Sequence, residues 1–153
     1  DASRGAWQKL SNKEASQREK AFAQLAGWKT CSKCHQPQTD FWRGTRHAEA
    51  WNTLDRVEQQ FNPDCLICHV TLPTYDKKVV DSQNLLAHLK EEHKTISCET
   101  CHGPAKKHSQ EPDSQTPRRP DEKTCLICHT PERDDNFNYT EKLKKIRCPA
   151  AGH

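Results

Sequence analysis

Apolar residues recur at helical spacing in three segments of the chain, and there is almost none of the alternation of apolar and polar residues that is typical of a strand. Residues 12–27 carry a partial apolar stripe and end at a glycine, which predicts a first helix. Residues 45–60 and 82–94 predict a second and a third helix, and residues 122–129 predict a short fourth one. The proline-rich residues 103–121 predict a loop. The seam of the second helix consists of Ala48, Trp51, Leu54 and Val57. The predicted fold class is therefore mainly α with extensive loops.

Composition argues that the polypeptide alone does not supply its whole core. The 153 residues are 32% hydrophobic and 29% charged, and the mean hydropathy is −1.09. A chain this polar buries too little apolar surface to offset the conformational entropy that it loses on folding. We therefore expect bound apolar groups to complete the core.

Four copies of the motif Cys-x-x-Cys-His identify those groups. Two thiols three positions apart form thioethers with the two vinyl groups of one porphyrin, and the adjacent histidine then reaches the iron. The motifs predict four covalently bound haem c groups. Their thioether cysteines are Cys31, Cys34, Cys65, Cys68, Cys98, Cys101, Cys125 and Cys128. The proximal iron ligands are His35, His69, His102 and His129.

Zinc and disulfides are the alternatives for paired cysteines. A zinc ribbon or a disulfide framework does not require a histidine directly after each pair, yet all four pairs have one. The motif therefore favours haem over both alternatives.

The distal side of each iron needs a ligand of its own. The chain contains no methionine, so we exclude the His/Met ligation of small cytochromes and expect bis-histidine ligation. Five histidines lie outside the motifs, and they are candidates for four positions. We expect His47 and His108 to be distal ligands, and the further candidates are His88, His93 and His153.

The chain resembles the cytochrome c-554 family of tetrahaem proteins from about residue 30 to its C-terminus. The resemblance rests on Phe41-Trp42, on Arg46-His47-Ala48-Glu49-Ala50-Trp51, and on Cys101-His102-Gly103-Pro104 followed by His108. It implies that His47 serves the third haem and His108 the first. Family members from nitrifiers keep the second haem five-coordinate, whereas His88 and His93 lie between the second and third motifs of this chain.

We expect one compact tetrahaem domain over residues 1–153, with an N-terminal helical segment at 1–29 and a haem-binding core at 30–153. Motif histidines only 34, 33 and 27 positions apart leave no room for separate domains. Because haem c is attached outside the cytoplasm, we expect a periplasmic or extracellular protein whose signal peptide has been removed. No apolar stretch is long enough to span a membrane.

The expected function is electron transfer, without catalytic residues, between redox partner proteins. Two alternatives stay open. One is reduction of nitric oxide or another nitrogen oxide at a five-coordinate haem, and the other is a subunit of an extracellular cytochrome filament. Basic clusters at Lys106-Lys107, Arg118-Arg119 and 142–147 suit an acidic partner, and no motif indicates nucleic-acid binding. The ninth cysteine, Cys148, is interpreted as a small apolar residue, an intermolecular disulfide or a functional thiol, which leaves self-association open.

Overall fold

The computed structural model describes residues 2–75 and 85–150, with side chains described from residue 12 onward. These residues form helices and loops without a strand, which confirms the mainly α-helical fold. The α-helices are α1 Ala2–Phe22, α2 Trp28–Ser32, α3 Gln36–Arg43, α4 Ala50–Arg56, α5 Pro63–Leu66, α6 Leu85–His88, α7 Cys98–His102, α8 Lys106–Gln110, α9 Glu122–Leu126 and α10 Tyr139–Ile146. Arg46–Glu49 and Glu91–His93 are short 3₁₀ helices. No helix of the described part is long and apolar enough to cross a membrane.

The first predicted helix has the wrong bounds. Helix α1 begins at Ala2 and ends at Phe22, five residues before Gly27, which we expected to terminate it. Gly27 instead precedes α2 with a φ of 87°. That left-handed conformation suits glycine, so the residue marks the start of the segment that carries the first motif rather than the end of α1.

The second predicted helix is also shorter than expected. Residues 46–49 form a 3₁₀ turn, α4 ends at Arg56, and Val57 is 62% exposed instead of continuing the apolar seam. A hydrogen bond from the Thr95 hydroxyl to the His47 carbonyl at 3.0 Å, and one from the Ile96 N–H to the same carbonyl at 3.3 Å, occupy an acceptor that a regular helix would use itself. The turn holding His47 is thus shaped by a distant segment.

The third predicted helix is not continuous. Residues 82–84 lie outside the described residues, α6 ends at His88, and the next turn is a separate 3₁₀ helix at Glu91–His93. The loop predicted at 103–121 contains α8, which carries His108, so that prediction was wrong for residues 106–110. The short helix predicted at 122–129 is α9, which ends three residues early.

A small apolar core lies where the end of α1 meets α4, α5 and α6. Its buried side chains are Phe22, Leu25, Leu54, Leu66, Val70, Leu72 and Leu85. The second motif is anchored here, because Cys65 and Ile67 pack against the cluster. The fourth motif is different, since its Leu126 and Ile127 are 43% and 42% exposed. The polypeptide therefore covers one motif with its own apolar residues and leaves apolar surface at another.

Candidate haem-binding site

Each Cys-x-x-Cys-His motif folds as a helical turn. The N–H of His35 donates to the Cys31 carbonyl at 2.9 Å, and the N–H of His129 donates to the Cys125 carbonyl at the same distance. Residues at the first, fourth and fifth positions of such a turn lie on one face. The two thiols and the imidazole of each motif are thereby presented together, as attachment to a single porphyrin requires.

The four motifs lie in contact as two pairs. The thiol of Cys31 in the first motif lies beside that of Cys98 in the third, and the interaction with Cys98 is the largest cause that raises the pKa of Cys31. Cys68 in the second motif lies beside Cys128 in the fourth, and the interaction between the two thiols lowers the pKa of Cys68 to about 7. The attachment points of motifs one and three therefore adjoin each other, and so do those of motifs two and four.

His35 of the first motif lies next to His108 on α8. Their ring centroids are 6.2 Å apart with an interplanar angle of 25°. Helix α8 is held there at its start, because the Lys106 N–H donates to the Gln24 carbonyl at 3.1 Å. A residue 73 positions further along the chain is thus brought to the first motif.

A second pair joins His47 to His129 of the fourth motif. Their ring centroids are also 6.2 Å apart, with an interplanar angle of 56°. Burial, followed by the charge of His129, lowers the pKa of His47. A neutral imidazole is the form that binds a metal.

Both separations fit two imidazoles on opposite sides of one iron. A metal–nitrogen bond of about 2 Å on each side, and about 1 Å more from each nitrogen to its ring centre, puts the ring centres about 6 Å apart. The residues present therefore fit a bis-histidine haem at both places.

Hydrogen bonds from Nδ1 to backbone carbonyls orient three of the predicted ligand rings. His69 is bonded to the Ala50 carbonyl at 2.7 Å, His102 to the Arg118 carbonyl at 2.9 Å, and His108 to the Gln115 carbonyl at 2.5 Å. A carbonyl only accepts, so Nδ1 carries the proton in each case and Nε2 keeps its lone pair. Metal-bound histidines in proteins are held in this way.

His129 is bonded to a carboxylate instead. Its Nδ1 lies 2.8 Å from Oδ2 of Asp134, and the Phe137 ring stacks on its imidazole at 4.6 Å between centroids. Sequence reasoning missed Asp134. Its position five residues after the motif histidine was the available signal, because the turn at 130–134 returns the chain to His129.

Among the described residues, neither His88 nor His93 lies against a motif histidine. The His88 ring stacks on Phe22 at 5.2 Å. His93 is 3% exposed, its Nδ1 accepts the Lys90 N–H at 3.4 Å, and its buried Nε2 has no hydrogen-bond partner. Burial lowers the pKa of His93. His153 lies outside the described residues.

Glu99 is a further residue that the sequence did not single out. It occupies an x position of the third motif and is 2% exposed. Its carboxylate accepts the N–H groups of Ala26 at 2.8 Å, Gly27 at 2.6 Å and Ala105 at 2.8 Å. A charged residue inside a motif gave no signal by itself, because most glutamates lie on the surface.

Two cavities adjoin these groups. One of about 360 Å³ is lined by His108 and Gln115. The other, of about 450 Å³, lies between Thr100 of the third motif, Ile127 of the fourth, and Tyr75. Burial raises the pKa of the Tyr75 hydroxyl. Space is thus present beside the predicted ligand His108 and beside residues of the third and fourth motifs.

Neither a site for a free metal ion nor a role for the ninth cysteine is indicated by the described residues. Within residues 12–75 and 85–150, no three His, Cys, Asp or Glu side chains converge on a point where they could hold a metal ion. Cys148 is exposed in the segment after α10, where the amide of Gln38 donates to the carbonyl of Pro149 at 3.1 Å.

Comparison with known proteins gives one match. Residues 30–103 match the family model described as cytochrome c554 and c-prime. The matched segment contains the first three motifs and His47, and it ends before His108. No curated protein and no solved structure matches the chain.

Proposed function

We propose, from the match of residues 30–103 to the cytochrome c554 and c-prime family model, that this protein is a tetrahaem c-type cytochrome and acts as an electron carrier of the periplasm or cell exterior. The four Cys-x-x-Cys-His motifs supply the eight thioether cysteines and the four proximal histidines for four haem c groups. No side chain is assigned a role as nucleophile, acid or base.

The observation that carries the proposal is the pairing of histidine rings across the fold. His35 with His108, and His47 with His129, have the separation of two axial ligands on one iron. We therefore assign His108 to the first haem, as the family resemblance implies. We assign His47 to the fourth haem rather than the third, because its ring lies beside His129.

The chain's own residues prepare these positions for electron transfer. Backbone carbonyls fix the Nδ1 protons of His69, His102 and His108, so each ring keeps its orientation when the charge of the iron changes. The contacts between motifs one and three, and between two and four, hold the attachment points close. Haem iron, when bound, supplies a one-electron couple whose potential depends on axial ligands and burial.

Partner binding is proposed at α10. Phe137, which stacks on His129, directly precedes Asn138, the residue that caps this helix. Lys142, Lys144 and Lys145 are exposed on the helix, and Lys144 is paired with Glu141 at 2.8 Å. A basic surface beside the fourth motif suits an acidic redox protein and makes association depend on salt.

One observation favours a second candidate, reduction of a small nitrogen oxide at an open haem. Among the described residues, no second histidine ring lies against His69 or His102. His93 accepts a hydrogen bond at Nδ1, so its neutral ring carries the proton at Nε2, the atom that an iron would need. A haem with one free axial position binds small molecules, whereas a six-coordinate haem is restricted to electron transfer.

Low-temperature EPR of the fully oxidised protein, integrated against total haem, separates the two functions. Low-spin signals from all four haems support the carrier alone. A high-spin signal from at least one haem, together with its loss on addition of nitric oxide, supports the second candidate. Fewer than two low-spin haems contradict the histidine pairs on which the proposal rests.

A further inference from the structure

The acceptor at Nδ1 of the motif histidine differs between the fourth motif and the second and third. His69 and His102 are bonded to peptide carbonyls, which are neutral, whereas His129 is bonded to the Asp134 carboxylate at 2.8 Å. Hydrogen bonds to an ionised acceptor are roughly twice as strong as those between neutral groups. The carboxylate therefore draws the Nδ1 proton away from the ring more strongly than a carbonyl does.

The surrounding contacts hold this bond in place. The Asp134 N–H donates to the Thr130 carbonyl at 2.8 Å, and the Phe137 N–H donates to the Asp134 carbonyl at 3.3 Å. Phe137 also lies nearly parallel to the His129 ring, with an interplanar angle of 19°. The side chains of His129 and Asp134 are 33% and 26% exposed, so water screens the pair only in part.

We propose that Asp134 tunes the haem held by the fourth motif and gives it the lowest reduction potential of the four. The inference rests on the proposed tetrahaem function. A ring whose Nδ1 proton is shared with a carboxylate has a more electron-rich Nε2, which stabilises ferric iron relative to ferrous iron. In the reaction concerned, the iron takes up one electron from a redox partner. No bond to the iron is made or broken, and the proton stays between Nδ1 and Asp134. Asp134 is thus a residue that acts through His129 and does not touch the iron itself.

A low potential at the fourth haem gives electron transfer a direction through the molecule. An electron on the fourth-motif haem leaves for an acceptor more readily than one on any other haem. The basic helix α10 begins beside this motif, so the surface proposed for an acidic partner adjoins the strongest reductant. Electron delivery from this end of the molecule follows.

The test is Asp134→Asn in the full-length holoprotein, followed by a reductive titration monitored by absorbance and EPR. We expect the lowest of the four midpoint potentials to rise, so that the ferric-to-ferrous ratio of that haem falls at least tenfold at a fixed ambient potential, which corresponds to about 59 mV for one electron. The other three ratios should change less than twofold. Asp134→Glu, which keeps a carboxylate, should recover part of the shift.

Asp135→Asn is the matched control. It removes the same charge one residue further along, on an exposed side chain that makes no bond to His129. Equal shifts in the two variants, or a shift spread over several haems, would overturn the proposal by showing a general charge effect. A haem count is made first. A count below four in the wild type defeats the proposed function, whereas four haems with no shift defeats this inference alone.

A wild-type readout keeps the inference testable if the Asp134 variants fail to load haem. The low-spin signal of the fourth haem is identified as the one that His47→Ala converts to high spin, because His47 is assigned to that haem. That signal should be the last to disappear during reduction of the wild type. If it disappears before another low-spin signal, Asp134 does not act as proposed.

Discussion

The carboxylate of Glu99 accepts the backbone N–H of Gly27 at 2.6 Å, across 72 positions of the chain. Gly27 precedes the helix of the first motif, and Glu99 lies between the two cysteines of the third. With the bonds to Ala26 and Ala105, one buried side chain fixes three backbone positions around two motifs. A Cβ at Gly27 would clash with the carboxylate of Glu92, so the first motif also approaches the 3₁₀ turn that contains His93.

Replacing Glu99 with glutamine should destabilise the protein by about 2 kcal/mol or more, because a hydrogen bond to a charged group contributes about 1.5–3 kcal/mol and a buried donor is left unpaired. The glutamine NH₂ group would face a backbone N–H that also needs an acceptor. Chemical denaturation of the holoprotein measures the change. Glu132→Gln, at an exposed position, is the control and should change the free energy of unfolding by less than about 0.5 kcal/mol. Equal midpoints for the two variants would show that Glu99 is not a structural clamp.

Replacing His108 with alanine should add one high-spin haem per chain, since the first haem then loses its distal ligand. His47→Ala should do the same for another haem. Integrated EPR of the oxidised variants gives the count. Gln110 is an exposed residue on the same helix as His108, and Gln110→Ala should leave the number of high-spin haems unchanged. If either histidine variant loads four haems and keeps the wild-type spin count, the corresponding ring pair does not bind a common iron.

Replacing His93 with glutamine should leave the number of high-spin haems unchanged. The Lys90 N–H points at Nδ1, which places the proton on Nε2 and removes the lone pair that iron requires. Integrated EPR of the oxidised variant counts its high-spin haems, and His108→Ala serves as the positive control. One additional high-spin haem in His93→Gln would identify His93 as a distal ligand and would remove the main support for an open haem.

Because the Tyr75 hydroxyl is buried, we expect the folded protein to lose stability at alkaline pH. Burial raises the pKa of Tyr75 in the folded protein, so the hydroxyl ionises first in unfolded chains. The contribution of Tyr75 to the free energy of unfolding is complete below pH about 10, the ordinary tyrosine value, and declines as the pH rises further. Tyr75→Phe should therefore lose stability less steeply above that pH than the wild type does. Tyr139→Phe, whose ring does not line the Tyr75 cavity, should follow the wild type, and identical slopes for all three proteins would contradict the assignment.

The attachment residues of the site were predictable from the sequence because they are local. Two thiols and a histidine within five positions specify their own chemistry, and the absence of methionine narrows the distal ligands to histidine. The pairing of His47 with its motif histidine was not predictable from the sequence. His47 lies beside His129 only because Thr95 and Ile96 hold its turn, and no pattern within residues 45–60 encodes that contact.

The helices were predicted well in class and poorly in extent. Helices of four to eight residues are too short for a periodic pattern, so α3, α8 and α10 were missed. A capping signal did exist at α10, where the Asn138 side chain accepts the Glu141 N–H at 3.0 Å. Glu99 and Asp134 were missed for a related reason, since a carboxylate reveals its partners only once the chain has folded around it.

The central claim is that every Cys-x-x-Cys-His motif carries a haem. A pyridine haemochrome spectrum of the purified protein, quantified against the protein concentration from amino-acid analysis, measures it directly. The account predicts four haems per chain, all retained after acid–acetone extraction because they are bound through thioethers. Fewer than four haems per chain, or haem that is extracted by acid–acetone, would contradict it.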